Sequence, residues 1–176
     1  MINLKLSVKD IAMIGFFVAI SSITRIGMSY FPNIQISTVL IILITVNYGL
    51  KYGLLVAILT PLTSNMILGQ GIWTLWQVIS WSLISILAFP FRKFKDDIYI
   101  MGLLSLICGY IFGLTISIQS CMTYGLLGNK FIIYYLSGLG FDTLHAIGNM
   151  MFCIAMLKKF NSISEKYKNN RIKGEI

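Results

Sequence analysis

Six apolar stretches, each near the ~20 residues needed to cross a ~30 Å hydrocarbon core, follow one another through this 176-residue chain with little between them but turn residues. They cover residues 11–28, 36–50, 52–68, 74–91, 98–120 and 139–157, each end set to within a few residues. A backbone in lipid must pair its own N–H and C=O groups, so segments this short and apolar are predicted to be helices. Composition agrees: 57% of residues are hydrophobic and 11% charged, against roughly 25% charged in an ordinary soluble domain. The expected fold is an all-α integral membrane protein, a compact bundle of six transmembrane helices over residues 1–157, followed by a basic cytoplasmic tail over 158–176. Six crossings leave no room for a separate catalytic or nucleotide-binding domain.

Two segments need separate treatment. Residues 124–137 are less apolar and carry Lys130, which predicts an interfacial helix or a structured external loop. Lys5 and Lys9 ahead of the first stretch superficially match a secretory signal. The apolar run continues to Met28 without an A-x-A-like site, so it is expected to be retained as a first span.

The net charge of +8 would point to nucleic acid only on a soluble fold with a basic face; in a membrane chain it is first a topology signal. With an even number of crossings, 12 of the 14 Lys and Arg fall on one side, Lys130 alone falls on the other, and Arg25 lies inside a span. The positive-inside rule makes the basic side cytoplasmic and places both termini there, in a multi-pass protein of the plasma membrane. The basic tail also favours anionic lipid headgroups. Cys108, Cys121 and Cys153 have no metal-type spacing and are read as small packing residues. No internal repeat is evident, which weakens an inverted-repeat transporter.

Polar side chains at membrane depth cost free energy and mark function. In this orientation almost all lie in the outer half: Asn33 and Gln35 after the first span, Asn65 at the end of the third, and Trp76, Gln77 and Trp81 on the fourth. Asp142, His145 and Asn149 lie on the sixth, and Asn47 is the inner exception. Asp142, His145 and Asn149 are spaced i, i+3, i+7 and share one helix face. They can satisfy each other and a neighbouring helix, or contact a ligand. Trp73, Gln77 and Trp81 recur at i, i+4, i+8, and Trp81 lies too deep for an interfacial aromatic belt. Pro61 removes one helical hydrogen bond and predicts a kink near Ser64 and Asn65. Arg25 can snorkel to the interface or gate a site. Ala12, Gly15, Ala19 and Ser22 form a strip of small residues suited to close helix approach. There is no phosphate-binding G-x-x-x-x-G-K-[ST] loop, no H-E-x-x-H, and no nucleophile motif.

Together these residues resemble a known family. The six-helix plan, the small-residue strip, and the segment 31–81 resemble the substrate-binding S component of energy-coupling factor (ECF) vitamin transporters. That segment contains Phe31-Pro32-Asn33, Ser64-Asn65 and Leu68-Gly69-Gln70-Gly71-Ile72-Trp73-Thr74-Leu75-Trp76-Gln77. The family's Ala-x-x-x-Ala docking motif is matched best by Gly15 and Ala19, with Ala12 beside them. The resemblance implies capture of a vitamin from outside by Asn33, Asn65, Trp76, Gln77, Trp81, Asp142, His145 and Asn149, with cobalamin ahead of riboflavin. It also implies partners: a transmembrane coupling component and paired ATPase subunits that hydrolyse the ATP. This chain would then need no cofactor or metal and catalyse nothing. Two other classes stay open: a small intramembrane enzyme with Asp142 and His145 as acid and base, and a non-catalytic assembly subunit.

Overall fold

A computed structural model describes residues 6–31 and 33–173; Lys5 and Pro32, both used above, lie outside the described residues. Of the described residues 87% are helical, and none is in a strand. The elements are α1 (Val8–Gly27), α2 (Ser37–Tyr48), α3 (Leu50–Leu68), α4 (Ile72–Ala88), a 3-10 turn (Phe89–Phe94), α5 (Ile98–Tyr124) and α6 (Asn129–Lys173). Among the described residues, five helical segments are long and apolar enough to cross a membrane; α2 is shorter.

Local chemistry sets the boundaries. Ser7 and Asp10 make a reciprocal capping box at the start of α1, which satisfies two of the N–H groups that a helix start leaves unpaired. Asp97 accepts from the Tyr99 and Ile100 N–H groups to start α5. A single residue, Gly49, joins α2 to α3 with φ +103°, a backbone region that side chains rarely tolerate. Pro61 sits within α3, which continues from Leu50 to Leu68 around it.

Helix α2 is the centre of the bundle. Residues Ser37 to Asn47 are all buried, as expected of a helix that is apolar all round. Its 12 residues rise only about 18 Å. Longer helices surround it, and a cleft opens beside each of its ends. The surrounding helices turn apolar side chains outward, among them Leu62, Leu75, Leu83, Leu103, Ile107 and Met151. This surface is stable in lipid but not in water, and with the five long apolar helices it points to a membrane-embedded protein.

Helix α6 departs most from expectation. It starts at Asn129 and runs unbroken for 45 residues, so the segment 124–137 is neither a loop nor a separate helix. It comprises the end of α5, a turn ending at Gly128 and the first turns of α6. Residues 158–173 continue α6 and pack against other elements. Asn161 is buried and donates to the Lys95 carbonyl (2.7 Å) and Asp96 (2.9 Å), and it accepts from Asn47 (2.7 Å). Lys95 pairs with Glu165. Burial works against the Lys95 ammonium, but the Glu165 hydrogen bond and the Asp96 and Glu165 charges outweigh it and raise its pKa. Arg171 donates to Asp10 (2.6 Å), which also accepts from Tyr52 (2.9 Å). The start of α1 and the end of α6 therefore meet at one end of the bundle, together with the α2–α3 and α4–α5 junctions.

Candidate functional site

At the opposite end a chain of polar contacts crosses five helices. Arg25, in the last turn of α1, points inward rather than out to the interface: Nη1 donates to Ser64 Oγ and to Asn65 Oδ1 (2.6 Å) on α3. Its guanidinium stacks over the Trp81 ring on α4, 5.3 Å from the centroid, a cation–π contact. Asn65 spends its amide donors on Thr74 (2.7 Å) and Gln77 (2.8 Å). Arg25 and Gln77 are thus held by one fully buried amide.

Trp81 leads to the second half of the chain. Its indole N–H donates to Thr38 Oγ1 (3.0 Å), and the same hydroxyl lies 3.2 Å from His145 Nε2 on α6. His145 Nδ1 lies 2.9 Å from the Asn33 carbonyl. A carbonyl only accepts, so in the neutral ring the proton is on Nδ1 and Nε2 is the acceptor. Thr38 then donates to His145 while accepting from Trp81. Phe112 of α5 packs between the two rings, with centroids 5.2 Å from Trp81 and 5.1 Å from His145. Asn33 has φ 55°, a left-handed conformation that asparagine adopts more readily than most residues. Its side chain fastens the loop to α6 by donating to the Phe141 carbonyl (2.9 Å).

Above this floor lies a cleft of about 310 Å³ lined by Arg25, Asn33, Gln35, Gln77, Phe31 and Phe112, among others. Of the residues expected to bind substrate, Asn33 and Gln77 line it. Asn65, Trp81 and His145 are buried behind or beneath it and hold its walls. Trp76 is half-buried on α4 and does not line it.

The stripe on α6 does not act as one group. Both His145 ring nitrogens are engaged by Thr38 and Asn33, so Asp142 is not its partner. Asp142 packs into the space left by Gly113 on α5, where a β-carbon would collide with its carboxylate. One of its oxygens has no partner among the described residues, and neither does either amide atom of the fully buried Asn149. Gly109, one turn earlier, would meet the Ala146 backbone in the same way. The α5–α6 contact thus rests on a small-xxx-small pair that was in plain view in the sequence.

On α1, Ala12, Gly15 and Ala19 are exposed, and a β-carbon on Gly15 would meet nothing within 4 Å. Ser22 leaves the strip and turns inward to Thr63 (2.7 Å). Sequence reasoning weighed Arg25 without placing it in the site, and missed Thr38 and Phe112. Thr38 carries no sequence signal that sets it apart, because a hydroxyl on an apolar helix normally bonds its own backbone. Comparison with family models, curated proteins and solved structures finds no match for this chain.

Proposed function

We propose that this protein is the substrate-binding subunit of an ATP-driven micronutrient transporter, of the ECF S-component kind. It has six membrane-spanning helices in the plasma membrane and both termini in the cytoplasm. It captures a ring-containing vitamin at the outer face and passes it on through a transmembrane coupling component and paired ATPases. The observation that carries the reading is the cleft itself. A cation, two amides and two aromatic rings (Arg25, Gln35, Gln77, Phe31, Phe112) converge on one recess. Polar and apolar groups share its walls about equally, and convergent fixed polar groups are what orients a ligand in a small-molecule site.

Volume orders the candidates. At about 310 Å³ the cleft lies at the small end of the roughly 300–1,000 Å³ range of ligand pockets. A single fused ring system such as a flavin suits it better than a corrin, which reverses the order implied by resemblance. A binding role is favoured over catalysis because both nitrogens of the lone His145 are committed to holding the floor.

The direct test is mass spectrometry of small molecules that co-purify with the solubilised protein, followed by titration of the compound found. Arg25→Met is expected to weaken binding by roughly tenfold or more, the value of one charge-assisted hydrogen bond. An unchanged affinity in Arg25→Met and in Gln77→Ala together would overturn the assignment of the cleft. Gly15→Leu or Ala19→Leu is expected to abolish uptake while leaving binding intact, since partner docking and capture use separate surfaces.

A further inference from the structure

The short α2 helix leaves a second recess, at the end opposite the vitamin cleft. About 280 Å³ of space opens there, lined by Asn47, Tyr48, Gly49, Arg92, Lys95 and Lys168 together with Val46. Three cationic side chains, two from the α4–α5 junction and one from α6, converge on it, and no carboxylate lines it. The two acids nearby, Asp96 and Glu165, line a different cleft, and both pair with Lys95. Neither Arg92 nor Lys168 pairs with a carboxylate among the described residues.

Their other contacts leave donors free. Lys168 Nζ donates to the Asn47 carbonyl and lies 5.3 Å from the Tyr48 ring centroid, which uses one of its three N–H groups. Arg92 is exposed, and its guanidinium lies 5.4 Å from the Phe89 ring centroid. The pairing with Glu165 and Asp96 favours the charged form of Lys95. Like charges gathered in one recess repel unless an anion sits between them. Asn47 Oδ1, buried in the same wall, has no partner among the described residues, and a hydroxyl on the bound group, the P–OH of free phosphate or a glycerol hydroxyl of a headgroup, would supply its missing donor.

We propose that this inner cleft binds a phosphate group, with Arg92 and Lys168 as its ligands and Lys95 as the third cation. Arginine and lysine make short, charge-assisted hydrogen bonds to phosphate oxygens. The phosphate belongs either to a lipid headgroup, as in basic pockets between helices on the cytoplasmic side, or to a free ion. The lipid source depends on the proposed orientation, whereas the anion site does not, and neither depends on what fills the outer cleft.

Two measurements on the full chain test this. In detergent, sodium phosphate is expected to raise the thermal unfolding midpoint saturably, while sodium chloride at matched ionic strength is not. From vesicles of mixed phosphatidylglycerol and phosphatidylcholine, native mass spectrometry is expected to find phosphatidylglycerol retained and displaced by added phosphate. Arg92→Gln is expected to weaken the response by roughly tenfold, and Lys93→Gln, off the cleft, to leave it unchanged. Lys168→Gln serves as an independent second variant. A phosphate response without lipid retention assigns a free ion, and retention lost in Arg92→Gln assigns the headgroup. The proposal is overturned if the unaltered protein shows neither response, or if Arg92→Gln and Lys168→Gln both behave as Lys93→Gln does.

Discussion

Thr38 supports two rings with one hydroxyl. It accepts from Trp81 and donates to His145, and both rings are fully buried. Thr38→Val keeps the shape and leaves two buried ring nitrogens without a partner. The expected cost is about 1–3 kcal/mol per group left unsatisfied, read as a fall in the unfolding midpoint, with Thr38→Ser restoring most of it. Trp81 and His145 were legible in the sequence because an indole and an imidazole stand out at membrane depth. Their shared partner was not, because a lone hydroxyl inside an apolar helix normally bonds its own backbone. Arg25 shows a different limit. Sequence gives its depth, but its inward turn depends on Ser64, Asn65 and Trp81, which lie about forty or more positions along the chain.

The same contrast appears among the helices. Five of the predicted spans return as long apolar helices with shifted ends, because the hydrophobic pattern fixes where lipid can be met. The ends of α6 were not legible, since a helix leaving the bilayer loses its apolar signal without losing its backbone pairing. Its C-terminal turns are held by contacts from other elements, Asn161 to Lys95 and Asp96 and Arg171 to Asp10. Arg171→Met is therefore expected to speed proteolysis within the last turns of α6 while leaving ligand binding unchanged. At the α5–α6 contact, Gly113→Ala drives a methyl into Asp142. Overpacking of this kind costs roughly 1–3 kcal/mol. The unfolding midpoint of Gly113→Ala is expected to fall, whereas Gly15→Ala, in open space, is expected to leave it unmoved.

For the molecule as a whole, the charge partition and the geometry agree on which ends belong together. Lys95, Lys168, Arg171 and the start of α1 share one end of the bundle, as the distribution of positive residues requires. Placing that end in the cytoplasm predicts a labelling pattern. Lys93→Cys and Asn169→Cys are expected to react with a membrane-impermeant thiol reagent only in opened cells, and Leu127→Cys in intact ones. All three native cysteines are buried, so they add little background. Two opposed recesses arise because the core helix is shorter than the wall around it, and no stretch of sequence read alone reveals that difference. The unbroken α6 has a further consequence. Its 45 residues make a rod of roughly 68 Å, more than twice the thickness of the hydrocarbon. A rod that long has no joint in which to absorb a reorientation. Two spin labels near its tips would turn any tilt of the whole protein during the proposed transport cycle into a change in depth that can be measured.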